Sequence, residues 1–496
     1  MLASRRRKRG MTNRKVFQLI VFAILLLGSI ANAYEPSWDG NHPESKSEAW
    51  TWMGHLQEFD GTRLGPNGVG FIYYYTRNDQ GQMGSMNFRS SSLTETVNGV
   101  GQSYKTSTLY AAQYDNAELR ARRGRLDLTF TAGDIADFVR AEAMSAADTK
   151  ELHSTMKLFP GLAIAPGFTP KKVVFNASEE DGTEMKLRFY TIWPVLAPKD
   201  GLMRFLGQAD TYSFSEPMLV TVGTYKGKRV AGLSFLDRQW AKQFFGVNIY
   251  TGLGDLVKYA HALKFSHAWS AFHVFNERTK EWSFFHLWHQ WERNDNVADK
   301  LTEYSGLLYM KNGTESGVID SSDYTWKGDG YVWAQGKEVL LDYPLGRYGF
   351  FPSRATYSSP KLGFSGQIVA TPHLQNLNQP IPFYEGYASG VGTWNGDRVR
   401  IQGRLESSRL LFRTQDYKEM LKTLESTKEP EWRQPELQAW LKANQRDNPA
   451  NWLGHPLAVL ASMFKGLDLK LAIFGDILSD DQVEQDPRDP EVVIYR

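Results

Sequence analysis

The sequence predicts a mainly β protein with two tandem antiparallel β-barrel or sandwich domains and a helical C-terminal tail. Short strand-like runs separated by turn residues fill most of the chain, one hairpin sequence occurs twice, and helix-forming residues are concentrated near the end. We divide the chain into a signal peptide (residues 1–33), a first β domain (34–236), a second β domain (237–414) and a helical C-terminal extension (415–496).

The repeated hairpin begins with Val-Gly-Thr in both copies. Residues 222–230 read Val-Gly-Thr-Tyr-Lys-Gly-Lys-Arg-Val, and residues 391–399 read Val-Gly-Thr-Trp-Asn-Gly-Asp-Arg-Val. A glycine that can take positive φ, between β-branched and apolar residues, is typical of a tight hairpin. A second pair of similar sequences begins a strand near the start of each half, namely Ala-Trp-Thr from residue 49 and Ala-Trp-Ser from residue 268. We expect the two hairpins to occupy equivalent places in two similar β domains.

Several runs within the first half alternate apolar and polar residues, as in a sheet with one solvent-exposed face. These runs are residues 71–76, 126–131, 172–175 and 186–191. Residues 134–158 differ, because their composition predicts an inserted helix and loop. Three segments of the tail carry helix formers with apolar residues at three-to-four spacing, and we expect them to pack on the second domain. They are residues 416–424, 435–444 and 449–478.

The N-terminus has the pattern of a secretory signal peptide. Basic residues precede an apolar run over residues 16–30, and Ala31-Asn32-Ala33 places small residues at both recognition positions for cleavage. We expect cleavage after Ala33 and export to the periplasm or secretion. A retained membrane anchor is the alternative, but the apolar run is short for a span.

Composition excludes some classes of function. Residues 1–33 hold seven Lys and Arg and no acidic residue, so the remaining chain carries 50 basic against 55 acidic residues. This balance gives no electrostatic reason to expect a nucleic-acid partner. The chain has no cysteine, which excludes disulfides, thiolate catalysis and cysteine-ligated metals. We find no phosphate-binding glycine-rich loop and no nucleophile elbow, and we predict no cofactor.

Five of the ten histidines fall between His261 and His289, in a stretch rich in tryptophan. Strand alternation would place several of them on one aromatic face, which is expected to line a pocket. That face would carry His267, Trp269, His273, Phe275, Trp282, Phe284, His286 and Trp288. A zinc site from these histidines is one alternative, but His286 and His289 would point to opposite faces, so we predict no metal. Histidines hydrogen-bonded within an aromatic core are the other alternative.

Among the acidic residues, Asp237 has the sequence surroundings that best suit a catalytic acid. It ends the apolar run of residues 233–236 and is followed by Arg238 and Trp240. Burial there would raise its pKa and let it hold or deliver a proton. We expect it to be buried, close to Trp240 and to one of the nearby histidines, and to face the main apolar cavity. A structural salt bridge with Arg238 or another base is the alternative.

Three segments carry a resemblance to a known family. They are Glu-Ala-Trp-Thr-Trp-Met-Gly-His-Leu over residues 48–56 with Asp-Gly following, residues 212–240 with Leu-Asp-Arg-Gln-Trp at their end, and residues 384–406 from Tyr-Glu-Gly to the closing glutamate. In this order they resemble the AttH-like and carotenoid 1,2-hydratase (hydroxyneurosporene synthase) family. The resemblance implies two lipocalin-like β domains. Arg238 stands where the hydratase branch of the family has histidine. The resemblance therefore supports the family's fold for this chain more strongly than it supports the family's activity.

These observations lead to three functional hypotheses. The first is an exported envelope protein that binds a hydrophobic, lipid-like or isoprenoid ligand in an aromatic-lined cavity. The second is a hydratase or isomerase that acts on an isoprenoid-like double bond, with Asp237 as general acid. The third is an accessory protein that docks on an envelope partner through its tail. The candidate catalytic residues are Asp237, His273 and His286, and the candidate ligand-binding residues are Trp50, Trp52, Arg238, Trp240, His267, Trp269 and Trp288.

Overall fold

The fold is described from a computed structural model. It describes residues 39–45, 47–78, 86–90, 93–95, 106–110, 118–178, 182, 184–198, 201–205, 209–241, 265–292, 300–301, 306–335, 348–370, 376–378, 382–408, 483–485 and 488–495. The predicted signal peptide and the three predicted tail helices lie outside these residues. No helix within the described ranges is both long and apolar enough to cross a bilayer.

A large antiparallel sheet contains most strands of the first half. These strands are β1 (Ser47–Phe59), β2 (Leu64–Asn78), β4 (Leu93–Glu95), β6 (Glu118–Arg122), β7 (Asp127–Ala132), β8 (Ile135–Glu142), β9 (Lys171–Ser178), β10 (Glu184–Thr191), β11 (Leu202–Phe205), β12 (Ala209–Tyr225), β13 (Lys228–Ala241), β25 (Val483–Gln485) and β26 (Val492–Tyr495). Their order is β25-β26-β6-β7-β8-β9-β10-β12-β13-β1-β2-β4, with β11 paired to β12. Two further strands, β3 (Met86–Ser90) and β5 (Thr106–Tyr110), form a separate two-stranded sheet within the described part of the chain.

The second sheet is also antiparallel. Its strands are β14 (Phe265–Asn276), β15 (Trp282–Glu292), β16 (Lys300–Leu301), β17 (Gly306–Lys311), β18 (Glu315–Asp320), β19 (Thr325–Gln335), β20 (Tyr348–Ser359), β21 (Phe364–Ala370), β22 (Asn376–Asn378), β23 (Pro382–Trp394) and β24 (Asp397–Ser408). The order is β18-β17-β15-β14-β24-β23-β21-β20-β19, with β16 on β15 and β22 on β23. The fold class predicted for the β part of the chain is confirmed.

The two sheets share one strand order around the repeated hairpins. In the first sheet β9-β10-β12-β13-β1-β2 follow one another, and in the second β20-β21-β23-β24-β14-β15 do so. The hairpin β12–β13 and the hairpin β23–β24 therefore hold the same place, as the repeat predicts. Their registers also agree, since Val222 pairs with Ala231 and Val391 with Arg400.

The hairpin sequence has a steric basis at its turn and at its first glycine. Lys226 and Gly227, like Asn395 and Gly396, all have positive φ, which matches the tight turn that suits twisted strands. The Val-Gly-Thr glycine matters for another reason. A Cβ on Gly223 would lie 1.9 Å from the Lys186 carbonyl oxygen of the neighbouring strand, so no larger residue fits there.

The first sheet curls until distant strands face each other. Tyr75 of β2 and Phe130 of β7 are far apart in the strand order, yet their ring centroids are 6.1 Å apart. The Tyr75 hydroxyl also donates to the Asp137 carboxylate of β8. One face of the sheet thus encloses its own apolar core, which includes Trp50 and Trp52. This is the lipocalin-like arrangement expected from the sequence.

The second sheet encloses a core in the same way. Phe285 of β15 contacts Phe364 of β21, with ring centroids 4.6 Å apart, although the three strands β14, β24 and β23 lie between them in the order. A third core lies between the two sheets, where Phe235 of β13 contacts Trp269 of β14 and Phe284 of β15. This inter-sheet core uses the outward face of each curled sheet.

The inserted segment at residues 134–158 is shorter as a helix than predicted. Ile135–Glu142 is β8, because Ile135, Asp137 and Val139 alternate inward. The helix α1 covers only Ala146–Met156 and begins with a capping box, in which Ser145 and Asp148 exchange side-chain-to-backbone hydrogen bonds.

Two predicted boundaries differ from the strands. The division between residues 236 and 237 falls inside β13, so Asp237 and the residues up to Ala241 continue the first sheet. The extension assigned as helical ends in two strands, because β25 and β26 form a hairpin on the edge strand β6. The β-branched run before Tyr495 suits this edge, and Arg122 of β6 forms ion pairs with Asp489 and Glu491.

Candidate functional site

Asp237 lies in the inter-sheet core, on the face of β13 that looks toward the second sheet. Its side chain is buried, with 5% of its surface exposed. Ser215, directly opposite on β12, donates to one carboxylate oxygen at 3.4 Å, and Gln239 donates to the other at 2.7 Å. Burial raises the pKa of Asp237 to about 7, the hydrogen bond from Gln239 opposes that rise, and the nearby Glu406 carboxyl adds to it.

His286 connects the two sheets at this site. Trp269 Nε1 contacts His286 Nε2 at 2.5 Å, and His286 Nδ1 lies 2.8 Å from Ser215 Oγ. An indole nitrogen can only donate, so Nε2 accepts and a neutral His286 carries its proton on Nδ1. Burial lowers the pKa of His286 to about 3, which keeps the ring neutral. The donors therefore run in one direction, from Trp269 through His286 and Ser215 to Asp237.

This direction of hydrogen bonding excludes one kind of chemistry in the observed arrangement. A nucleophilic serine needs a histidine that accepts its hydroxyl proton. Here the His286 Nδ1–H donates to the Ser215 oxygen, and the Ser215 hydroxyl donates to Asp237. The site is thus arranged to hold and orient a carboxyl group, not to activate a serine.

Glu406 is a second carboxyl group at the same place. It lies on β24, opposite Trp269 of β14, and its side chain is partly buried. Burial raises the pKa of Glu406 to about 8. Because two like charges in a poorly solvated site repel each other, Asp237 and Glu406 together favour holding one proton near neutral pH.

His273 lies on the same face of β14 as Trp269, as alternation predicts, but it does not touch Asp237 in any contact that the structure describes. Its Nε2–H donates to the Pro217 carbonyl at 2.9 Å, and burial lowers the pKa of His273 to about 4. The Phe235 ring contacts both His273 and Trp269 within the inter-sheet core.

A cleft of about 650 Å³ lies beside this group, between the two sheets. Its walls combine apolar side chains with uncharged polar groups and two arginines. They include Leu64, Leu158, Phe159, Phe235, Phe275 and Trp282 on the apolar side and His55, Tyr387, Ser389, Gln402, Arg400 and Arg404 on the polar side. His273 lines the cleft, whereas Asp237 is not among the residues that line it, and the expectation that Asp237 faces the main apolar cavity stays a prediction.

Trp50, Trp52, Arg238 and Trp240 lie on the opposite face of the first sheet from Asp237. Strand alternation sends Arg238 to the other side of β13, where its guanidinium pairs with Glu48 and donates to the Gly40 and Ala49 carbonyls.

The guanidinium also lies over the ring of Trp50, 4.2 Å from the centroid, and 5.2 Å from that of Trp240. Trp240 is stacked between His42 and Tyr212. The predicted proximity of Trp240 to Asp237 is therefore wrong, and these side chains anchor the arm of residues 39–45. Trp52 packs within the first core, against Phe175.

The remaining sequence-predicted residues belong to the inter-sheet core or lie at its end. Trp269 and Trp288 both contact the His286 ring, with centroids 5.3 and 5.8 Å away. His289 faces the second core instead and contacts Tyr324, as alternation predicts. The side chain of His267 lies outside the described residues, and only its strand position is known.

Sequence reasoning missed Ser215, Gln239 and Glu406. Glu406 could have been identified from the sequence, because it stands at the same place in the second hairpin repeat as Asp237 does in the first. Ser215 could not be found without the register, since β12 contains an irregularity at Glu216 before the repeat resumes.

This chain is similar in fold to several solved structures, although the sequence comparisons find no match. No protein-family model matches the sequence, and no curated protein matches it. Structural neighbours include a provisionally assigned AttH from Nitrosomonas europaea (14% identity, TM-score 0.47, 77% of this chain and 98% of that chain). They also include kievitone hydratase from Nectria haematococca (12% identity, TM-score 0.48, 77% and 94%). CghA with Sch210972 is a further neighbour (9% identity, TM-score 0.39, 73% and 88%).

The neighbours thus include an AttH, the group named by the sequence resemblance. At these identities and TM-scores the similarity assigns neither an activity nor a ligand to this chain.

Proposed function

We propose that this chain carries out acid–base chemistry of the hydratase or isomerase type on an apolar, unsaturated small molecule. The observation that carries the proposal is the buried Asp237, held by Ser215 and Gln239 next to Glu406 in an aromatic inter-sheet core. A carboxyl group with a pKa near the working pH is suited to proton transfer. The aromatic rings around it, including Trp269 and Phe235, suit an apolar substrate and a developing carbocation.

The test measures incorporation of labelled water. Mature protein is incubated with an isoprenoid alkene in ¹⁸O-labelled water, and products are analysed by mass spectrometry. We expect a product that contains one labelled oxygen, and loss of this product in Asp237→Asn with the fold retained, because the amide fills the same volume but can neither give nor take up a proton. In water labelled with both ¹⁸O and deuterium, an isomerase would give a product with solvent deuterium at carbon and no labelled oxygen, whereas a hydratase would incorporate both labels. Equal product formation by Asp237→Asn and the unaltered protein would refute the role of Asp237.

A second proposal is that the chain binds or carries a hydrophobic ligand in the cell envelope without turnover. The cleft favours this proposal for two reasons. Its volume of about 650 Å³ is within the usual range of small-molecule sites, and Asp237 is not among the residues that line it. Native mass spectrometry of protein purified from its own envelope tests this proposal. A co-purifying apolar molecule that Asp237→Asn retains, and that Trp282→Ala releases, is the expected result for a carrier. Protein without any bound molecule contradicts it.

We also propose that the protein is exported after cleavage near Ala33, on the basis of the basic, apolar and small-residue segments at the N-terminus. N-terminal sequencing of the protein from the envelope fraction should begin at or near Tyr34. A membrane-extracted protein that still contains residues 11–30 would contradict export with cleavage.

A further inference from the structure

His273 offers a ring nitrogen to the cleft between the sheets. Its side chain is buried, with 6% of its surface exposed, and it is one of the residues that line the cleft. Its Nε2 atom lies 2.9 Å from the Pro217 carbonyl oxygen, which can only accept, so Nε2 carries the proton of the neutral ring and Nδ1 carries a lone pair. Within the described residues, Nδ1 has no hydrogen-bond partner and is not one of the fully enclosed atoms. This nitrogen is therefore open to a molecule in the cleft.

A row of polar side chains continues from His273 across the second sheet. Gln402 of β24 lies directly opposite His273 of β14, and Ser389 of β23 lies opposite Gln402. All three residues line the cleft. The Gln402 amide nitrogen, which can only donate, lies 2.7 Å from His55 Nδ1 and so joins the row to the first sheet. Since none of the three side chains is charged when His273 is neutral, the row suits a neutral polar group better than an ion.

Apolar rings lie beside this row. Phe235 of the first sheet contacts His273, with ring centroids 6.0 Å apart, and Phe275 follows two positions later on β14. The Phe275 ring contacts Trp282, and the Trp282 ring contacts Phe159, at centroid distances of 4.9 and 6.3 Å. All four aromatic side chains line the cleft. Because buried apolar surface supplies most of the binding free energy at such rings, we expect a ligand that reaches His273 to be apolar along most of its length.

The charges at the cleft favour a neutral ligand. Arg400 forms an ion pair with Glu277 at 3.4 Å, and the Arg404 guanidinium donates to the Gly54 and Phe71 carbonyls. Both arginines thus have partners within the protein, and an anionic ligand is not needed to balance them. A lone pair on nitrogen can accept from a hydroxyl or from an ammonium group, but an ammonium group would be repelled by the two arginines. A hydroxyl group is the neutral donor that remains.

We infer that the cleft binds an apolar alcohol, a neutral and mostly hydrocarbon molecule whose hydroxyl group donates to His273 Nδ1. This inference rests on the second proposed function, ligand binding in the cleft, and names the chemical class of that ligand. A ligand without a donor would displace solvent from the Nδ1 lone pair and leave it unpaired, so His273 determines specificity. Burial lowers the pKa of His273 to about 4, which keeps Nδ1 an acceptor at neutral pH.

Two matched probes test the inference. The isoprenoid alcohol farnesol and its methyl ether share one hydrocarbon chain, but the ether cannot donate a hydrogen bond. Isothermal titration calorimetry measures the dissociation constant of each, and we expect farnesol to bind about 5- to 20-fold more tightly. His273→Phe keeps a ring of similar size and should abolish this difference. Leu158→Ala, at an apolar wall of the cleft, is the matched control and should weaken both probes while their ratio is kept.

Nitrogen NMR observes the same contact directly. In the protein without ligand, we expect ¹⁵N spectra to show an unprotonated Nδ1 and a protonated Nε2 for His273. Addition of farnesol should change the Nδ1 chemical shift, and addition of the ether should change it much less. The ring nitrogens of His289, which faces the second core, should respond to neither probe. If His273→Phe does not fold, this measurement on the unaltered protein decides the question.

Equal affinity for farnesol and its ether, or a protonated Nδ1 on His273, would overturn the inference while hydrophobic binding in the cleft stands. Tighter binding of the matched carboxylate, farnesoic acid, would also overturn it, because the arginines would then select the ligand. Binding of none of these probes would overturn the proposed ligand binding together with the inference. The failure of the inference alone is therefore distinguishable from the failure of the function on which it rests.

Discussion

Asp237 and Glu406 stand at the same position in the two hairpin repeats, and the fold brings them close enough for the charge of one to raise the pKa of the other. Each follows the valine of its Val-Gly-Thr by the same number of residues, on β13 and on β24. The two sheets pack through their outward faces, so equivalent strands meet at the interface. An internal repeat thereby produces a carboxyl pair that neither half could form alone.

The carboxyl pair and a third acid, Asp39, predict that the stability of the fold depends on pH. Folding raises the pKa of Asp39 and Glu406 to about 8 and that of Asp237 to about 7, so the folded state binds more protons than the unfolded state. Their contribution is complete below their unfolded pKa values and is lost as pH rises through the folded values. We expect the free energy of unfolding to fall by roughly 2–4 kcal/mol between about pH 6.5 and about pH 8.

Urea titrations across this range measure that loss. The buried His273 and His286 act in the opposite direction only at lower pH, because their lowered pKa values destabilise the fold as pH falls below the ordinary value of histidine. Glu406→Gln should flatten the dependence above neutrality. Stability that rises with pH over the same range would show that the acids are not protonated in the fold.

Arg238 is predicted to be structural. Its guanidinium is fully buried against Glu48 and two tryptophan rings, so Arg238→Ala removes the cation from the buried Glu48 carboxylate, which keeps only uncharged donors such as the His42 backbone N–H. We expect a loss of about 3–5 kcal/mol in unfolding free energy. The matched control is Arg278→Ala, which removes an exposed ion pair with Asp397 and should change stability little. If Arg238→Ala keeps full stability but loses ligand, the original ligand-binding assignment is right.

The turns of the repeated hairpins provide a reciprocal pair of substitutions. Lys226 and Asn395 occupy the same turn position with φ of 50° and 49°. Asparagine tolerates this left-handed conformation better than lysine does. Lys226→Asn should stabilise the protein by roughly 0.5 kcal/mol, and Asn395→Lys should destabilise it by a similar amount. Thermal unfolding of both variants checks this, and changes of the same sign in the two would contradict equivalent turns.

The sequence predicted the β class, the repeat and the facing directions of β14 and β15, because these follow from two-residue alternation and turn chemistry. It placed Asp237 beside Trp240 because they are close along the chain, whereas alternation puts residues three apart on a strand on opposite faces. The link from Asp237 to His286 through Ser215 depends on the register of β12 and on the packing of two sheets. Neither is a local property of the sequence.

His286 gives the most direct spectroscopic test of the observed network. The Trp269 indole N–H must donate to Nε2, so the neutral ring should carry its proton on Nδ1, the less common tautomer in solution. We expect ¹⁵N NMR to show a protonated Nδ1 and an unprotonated Nε2 for His286. This state should persist well below the ordinary histidine pKa, because burial lowers the pKa of His286 to about 3.

Trp269→Phe removes the indole donor while keeping an aromatic ring in the inter-sheet core. We expect a destabilisation of about 1–3 kcal/mol, because the buried Nε2 of His286 loses its donor, together with a redistribution of the His286 tautomers. Trp52→Phe, in the enclosed core of the first sheet, is the control and should leave the His286 ¹⁵N shifts unchanged. A proton on Nε2 in the unaltered protein would reverse the direction of hydrogen bonding and turn the Ser215 hydroxyl away from Asp237.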